Sequence, residues 1–587
     1  MRMQVSESTS PRVSEMVREL SRITKDIILD ASDTFFLYCH NKPFYLFDPD
    51  LFQRKLTQSQ IPVYLQLAFL ASAIRYSSHS RWKWQRKAAI DNHARYSWAI
   101  IMSSPDAFTD ICAVQALALL TIVDAIAGRQ RAAWVKIGIA IRISQSLDMM
   151  LEPNADVLDA EQNERRHIFW SLYLIDKFVC CSFQRPPAMV DSDCLLYLPV
   201  DAQQYQQPNA AASMTLNTLL DNANSIKSTT LRPGWFGISV GIAAVLGKTV
   251  KFMMSNNDKE NVASWNSTSE YGSIHADLDR FREIVSKDEN MVLSTMKDRL
   301  NRNHERTAHK ILSCTVYHLA HCLLDHPFLW AMKTLRLYPN PNIPHLHPSW
   351  IRKSLTSSLQ HACSLTNLLV SAKSAGYVPI PSFYSYCMMV AGSIHALYYH
   401  CRNNRESSSE YLNSSIQYFV NLADLWDESP TLADGLRIFA DGCQRYSDLL
   451  LCCDKQNING LQPLDIEILK SMVDYWEVMN PRNLVSSLHP LHLASGSFDD
   501  KNNNEDILQV MSEDSSTFSR HQHLSDSIGD NIFNLSGPEE LLGLEEVPML
   551  PLDHVGFSDF LHLIPSPNTS TGTDNGGSFF DDKNNME

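Results

Sequence analysis

The chain has 587 residues, of which 44% are hydrophobic and 20% charged, with a net charge of −15. That apolar content excludes a wholly disordered chain, and the length suffices for one large domain or two to three smaller ones. Residues 498–587 hold 18 acids and 3 bases, which leaves 47 of the 65 acids against 47 of the 50 bases for the rest, so the body has no global basic field for nucleic acid and the tail carries the imbalance.

Apolar runs are expected to stay short of the ~20 residues that span a bilayer, and Met1–Ser8 has no apolar signal core, so neither a membrane protein nor a secretory signal is expected. The 13 cysteines include two adjacent pairs, Cys180–Cys181 and Cys452–Cys453, and no C-x-x-C spacing. That pattern fits free buried thiols in a reducing compartment rather than a disulfide framework or a zinc module.

In chain order, residues 1–32 are a polar lead ending in a short helical pattern, Val13–Leu29. Aromatic-rich text follows from Asp33: Phe35, Phe36, Tyr38, Phe44, Tyr45 and Phe47. Ala113–Ala127 lacks Gly and Pro and predicts a helix, broken at Gly128. Ala132–Leu151 predicts a second helix, closed by Pro153. Asp159–Phe183 predicts a third, with an acidic first turn and a stop at Pro186–Pro187. Residues 201–232 are rich in Gln, Asn and Ser and predict a long loop. Helices are then expected at Trp235–Met254, Ile274–Met296, Arg302–Leu335, Trp350–Ser374, Pro381–Arg402, Ser414–Leu425, Thr431–Cys453 and Pro463–Met479, with a polar break at Asn403–Ser409. Few windows alternate with period two. The predicted class is all-α, with one helical body over 33–484. Residues 485–587 read as a disordered acidic-hydrophobic tail.

Four motifs suggest chemistry. Gly237–Gly241 matches the G-x-S-x-G serine elbow, which makes a hydrolase using Ser239 a remote alternative. The motif needs a strand before it, however, and the text here is a small-residue helix start. Gly241–Thr249 resembles a phosphate loop with one residue too many between its glycines. Cys314, His318, His321, Cys322 and Asp325 recur at helical spacing, with His326 adjacent. Their helix is otherwise apolar, so partnered core histidines are expected and no metal ligands are assigned. His304 and His309 are five apart and fail the H-E-x-x-H pattern. Arg81–Lys87 is a compact basic and aromatic cluster, fit either for nuclear import and nucleic-acid contact or for a solvated helix end. No paired carboxylates or dinucleotide loop is evident, so neither a catalytic nor a cofactor site is expected.

Three blocks in order carry a resemblance: Ala133–Asp148, Asn163–Lys177 and Gln184–Asp193. Together they resemble the fungal-specific transcription factor domain, the middle homology region of fungal zinc-cluster regulators. The matching positions are Trp134, Gly138, Ala140 and Arg142, then Glu164, Arg165, Arg166, Trp170 and Asp176, then Arg185, Pro186, Pro187, Asp191 and Asp193. His40–Asp48 resembles the family's opening segment and Tyr317–Phe328 a later helix, so the likeness runs from about Asp33 to Met479. These residues read as structural: Trp134, Ile137 and Ile141 are expected to pack inward, and Asp176 to pair with an Arg.

The resemblance implies a nuclear regulator of RNA polymerase II transcription, an activator whose body regulates and whose tail recruits coactivators. Phe533, Leu541, Leu542, Phe557, Phe560 and Leu561 are the expected anchors, exposed among acids, and Phe557, Phe560 and Leu561 share one helical face. The family's six-cysteine zinc cluster needs cysteines that residues 1–38 lack. Zinc and direct DNA binding therefore belong to this protein only if an upstream module precedes the chain. Otherwise the chain is a co-regulator that reaches promoter DNA through a partner, with homodimerisation compatible and no membrane role.

Overall fold

A computed structural model describes every residue except 1–22, 154–158, 184, 201–213, 222–232, 255–268, 287–292, 338–347, 378–380, 401–404, 447–461 and 495–587. Twenty α-helices occupy the described residues, with no strand among them and one isolated bridge between Tyr197 and Thr215. The protein is all-α. The expected tail and its anchors Phe533, Leu541, Leu542, Phe557, Phe560 and Leu561 lie outside the described residues.

The N-terminal helices α1 (Lys25–Tyr38), α2 (Pro49–Thr57) and α3 (Val63–Ala73) gather the aromatic text that follows Asp33. Phe52 stacks on Phe69 at 4.6 Å, and Phe35 lies 4.4 Å from Phe69. α2 starts where it does because Asp48 accepts from the Asp50 and Leu51 N–H groups while Pro49 occupies the first turn. α3 is followed by α4 (Arg86–Ser103) and α5 (Ile111–Ile126), which Asp110 caps through the Cys112 N–H. α5 is buried on nearly every side and packs on α3 and on α6 (Gln130–Ser146). The α5–α6 turn passes through Gly128 at φ +76°, a conformation that favours glycine. α7 (Asp159–Val179) then sinks Phe169, Trp170 and Tyr173 into the core.

A second layer begins with α8 (Leu216–Asp221) and α9 (Trp235–Met254), continues through α10 (Glu270–Ser286) and α11 (Leu293–Arg302), and centres on α12 (His304–Leu324). α12 is buried from Thr307 to Leu324 and lies between α9 and α14 (Pro348–Ser374), with α13 (Pro327–Leu337) between the latter two in sequence. α15 (Pro381–Tyr399), α16 (Arg405–Val420), α17 (Ser429–Gly442), α18 (Pro463–Ser471), α19 (Tyr475–Val478) and α20 (Pro481–Ala494) complete the described body.

Several expected borders move, each for a local reason. The single helix expected over Arg302–Leu335 is two, because Asn303 caps α12 through the Arg306 N–H and Pro327 opens α13. Ile274–Met296 is likewise α10 and α11. α16 starts at Arg405, inside the expected polar break, since Ser408, Leu412 and Ser415 form its buried side. α20 runs through the expected border at 484 and buries Leu484, Leu488 and Leu491, and the last lies so close to Gly442 that a Cβ there would meet its Cβ at 2.6 Å. α9 also departs from expectation, being long and apolar enough to cross a bilayer, yet 83% of that stretch is buried within the protein.

Candidate functional site

Part of the signature, Trp134, Trp170, Asp176, Arg185, Pro186, Pro187 and Asp191, gathers around α7 and its exit. After Pro186 and Pro187, which offer no N–H, the chain doubles back along the helix, and the Ala188 and Met189 N–H groups donate to Asp176 at 3.1 and 2.9 Å. Asp176 therefore serves backbone donors and not the expected Arg, because the returning loop fills the place an Arg head would need. Burial pushes its carboxyl above the usual range, and the two N–H groups oppose that rise. One turn along, Lys177 Nζ and the Tyr173 hydroxyl both donate to Asp191 Oδ1 at 2.7 Å. Trp170 Nε1 donates to the Tyr197 carbonyl at 2.8 Å. Every one of these contacts fixes the loop against the helix.

The start of α7 is tied in the same way. Glu164 accepts from the Asp48 N–H at 2.8 Å, which anchors the cap of α2. Arg166 pairs with Glu152 at 2.6 Å, Glu152 accepts from the Tyr197 N–H, and Arg165 donates to the Leu147 carbonyl. Trp134 is half-buried and does not join Ile137 and Ile141 in the core. It forms one side of a clamp in which the Arg185 guanidinium lies 5.3 Å from its ring centre and 4.3 Å from that of Trp476. A planar, weakly hydrated cation suits two aromatic faces. Ala140 is fully buried, Arg142 and Asp193 are exposed, Pro186 is exposed, and a Cβ at Gly138 would meet nothing.

Trp476 and its neighbour Asp474 escaped the sequence reading. Asp474 accepts from Ser182 Oγ (2.9 and 2.7 Å) and the Phe183 N–H (2.9 Å), and it caps α19 through the Trp476 N–H at 2.8 Å. This carboxylate joins the α7 exit to a helix almost 300 positions later. The Asp-x-x-Glu cap pattern at 474–477 was the available signal.

The other motifs have ordinary geometry. Ser239 lies fully buried inside α9, donates to the Trp235 carbonyl at 3.0 Å and shares a 2.8 Å hydrogen bond with Ser313. No strand precedes it among the described residues, so 237–241 do not form an elbow. The glycines are there for packing: a Cβ at Gly241 would sit 2.6 Å from Leu219 and 2.9 Å from Phe281. Lys248 pairs with Asp277 at 2.8 Å.

The basic segment 81–87 splits by side. Trp82 is buried, while Trp84 is 86% exposed with Lys83 over its ring at 5.3 Å. Lys83, Arg86 and Lys87 border a cavity of about 610 Å³ that also touches Arg75, Arg129 and Asp427. Arg75 donates to the Leu425 carbonyl across it at 3.0 Å. Its size falls in the range of small-molecule pockets, and its walls are charged in both signs.

The histidines of α12 are brought together with others that the sequence left apart. His318 Nδ1 faces His361 Nδ1 of α14 at 2.9 Å, and His321 stacks on His361 at 3.9 Å. His275 of α10 approaches from the third side, and one ligand atom each from His275, His321 and Asp325 lie within 4.8 Å of one another. Cys314 and Cys322 are buried thiols outside this group. His326 faces Ser393 at 3.2 Å. Burial holds His318 down at about 4 and His326 and His361 at about 3, so all three are neutral at pH 7.

Comparison with known proteins places these features. Residues 33–283 match the model of the fungal specific transcription factor domain, a stretch that includes every signature position. An uncharacterized transcriptional regulatory protein of Schizosaccharomyces pombe is 25% identical over 268 residues, 42% of this chain and 27% of the relative. A Zn(2)-C6 fungal-type transcription factor of Fusarium oxysporum is 20% identical over 440 residues, 70% of this chain and 45% of the relative. The nitrogen assimilation transcription factor of Emericella nidulans is 38% identical over 69 residues, 11% of this chain and 8% of the relative. The matches span less than half the length of each of these relatives. Residues 33–283 thus match a fungal specific transcription factor domain, and the relatives that share this stretch are fungal transcription regulators.

Proposed function

We propose that the protein is a fungal regulator of RNA polymerase II transcription that acts in the nucleus, with residues 33–484 as its regulatory body and 485–587 as its activating tail. The observation that carries the reading is the domain match over residues 33–283, whose signature residues around α7 make structural contacts. A non-enzymatic role fits this arrangement, since the polar groups at the α7 exit pair with backbone and with one another. The tail supplies the second half of the reading. Its net charge keeps a chain expanded, and Phe533, Leu541, Leu542, Phe557, Phe560 and Leu561 are apolar residues set among acids. Such a segment fits a coactivator groove as a short amphipathic helix.

The experiment is a fusion of residues 498–587 to an unrelated DNA-binding domain upstream of a reporter. Activation that falls several-fold when Phe557, Phe560 and Leu561 are replaced by Ala supports the reading. A silent fusion, or one indifferent to those replacements, contradicts it.

A further inference from the structure

Helices α10, α12 and α14 enclose a polar group with unmet coordination. His321 is 1% exposed, and neither of its ring nitrogens has a hydrogen-bond partner among the described residues. Asp325, fully buried at the end of α12, is partly satisfied: Oδ1 accepts from Tyr271 of α10 at 2.8 Å and from Ser354 of α14 at 2.7 Å, the Ser357 hydroxyl also favours its carboxylate form, and Oδ2 has no well-formed hydrogen bond among the described residues. Buried polar atoms are nearly always paired, so three orphans side by side point to a missing group. A cation, or a water donating both its hydrogens, takes lone pairs from an imidazole nitrogen and a carboxylate oxygen at once, and the ligand atom that His275 brings within 4.8 Å of both favours the cation.

We propose that His275, His321 and Asp325 bind one divalent metal ion of the zinc class. Imidazole and carboxylate suit such an ion, and tetrahedral coordination needs ligand atoms roughly 3.3 Å apart. Their separations of up to 4.8 Å close by small side-chain rotations. The ligands come from two helices, His275 from α10 and His321 with Asp325 from α12, which is how a structural site gains its rigidity. The surroundings are those of a supported site. Asp279 lies 3.3 Å from His275 Nδ1 and holds that nitrogen, which leaves Nε2 for the ion. Tyr271 and Ser354 orient the Asp325 carboxylate. Burial disfavours the protonated form of His321, which leaves an imidazole lone pair free for an ion. His275 is 25% exposed at its side chain and offers the way in. The spacing of His318, His321, Cys322 and Asp325 on one helix hinted at a metal without a second segment, and α10 supplies it. The ion would clamp α10 to α12 within the body rather than take part in DNA reading.

The test uses the full chain, stripped with chelator and equilibrated with Zn²⁺, then with Co²⁺. The wild type is expected to retain one zinc more per chain than His275→Gln and Asp325→Asn, and its Co²⁺ form to show visible bands of four-coordinate intensity that both variants lose. Because a buried variant can misfold, a second measurement uses wild type alone: Zn²⁺ should slow the modification of His275 by diethyl pyrocarbonate at least several-fold. Equal zinc in wild type and His275→Gln, no zinc retained, or unchanged modification of His275 each overturns the proposal and assigns the orphaned atoms to buried water.

Discussion

Replacing Asp474 by Ala is the sharpest probe of how the body is held together. The carboxylate sits at the junction between the α7 exit and α19, inside the body but far outside residues 33–283. The substitution removes the α19 cap, worth about 1 kcal/mol. It also strands the Phe183 N–H and the Ser182 hydroxyl, at about 1–3 kcal/mol each where the site stays dry. Burial of the carboxylate works against these gains, as the upward shift of its pKa by desolvation records. The lower end of the resulting range of about 3–7 kcal/mol therefore applies, about 3 kcal/mol. Asp474→Asn keeps one acceptor for the cap but turns an NH₂ toward the Phe183 N–H, and should cost about 1–2 kcal/mol. Urea unfolding followed by far-UV circular dichroism reads both, as a lowered midpoint at constant slope. If Asp474→Ala unfolds within about 0.5 kcal/mol of wild type, the claim that this carboxylate staples the C-terminal helices to the signature loop is wrong.

Gly241→Ala should destabilise by about 1–3 kcal/mol despite the better helix propensity of Ala, because Leu219 and Phe281 occupy the Cβ position, and a thermal melt showing a raised midpoint would refute the packing account. Ser239→Ala should leave reporter activation unchanged, while a specific loss of activation in a variant of normal stability would reopen the question of what Ser239 does. Acid should weaken the fold from pH 6.5 downward. The unfolded chain takes protons near pH 6.5, whereas burial holds His309 at about 3 and His318 at about 4, so their contribution is present above 6.5 and lost as pH falls toward those values. Each such histidine adds about 1.4 kcal/mol per pH unit to the slope, and His309→Gln should remove one proton's worth, as pH-dependent unfolding midpoints will reveal.

The sequence spoke clearly where a single helix decides the matter. Trp235–Met254 is predominantly apolar, bounded by Pro233–Gly234 before it and polar text after it, and α9 has those same limits. The class and the core of α7 were legible for the same reason, since Phe169, Trp170 and Tyr173 recur on one face. What stayed hidden depends on partners far away in the chain. Trp134 looked like a core residue because its spacing with Ile137 and Ile141 is helical, yet the cation it stacks on comes from Arg185 and the opposite ring from Trp476. Asp176 looked like half of an ion pair because charge suggests charge, whereas two backbone N–H groups freed by the Pro186–Pro187 reversal took its place. The polar cluster of α12 was read without His275, which lies 46 and 50 positions before the His321 and Asp325 it faces, and no periodicity within one helix contains that information. Borders moved where a local stop decided them: the apolar text of Arg302–Leu335 is divided at Pro327, which opens α13.

The central claim, that this chain regulates transcription, is tested most directly by tethering the full chain to a heterologous DNA-binding domain and measuring reporter transcript with and without residues 485–587. The account predicts reporter transcript well above that of the DNA-binding domain alone, and a return to that baseline when the tail is removed. A reporter unchanged by the full chain, or activation that persists without the tail, would contradict it.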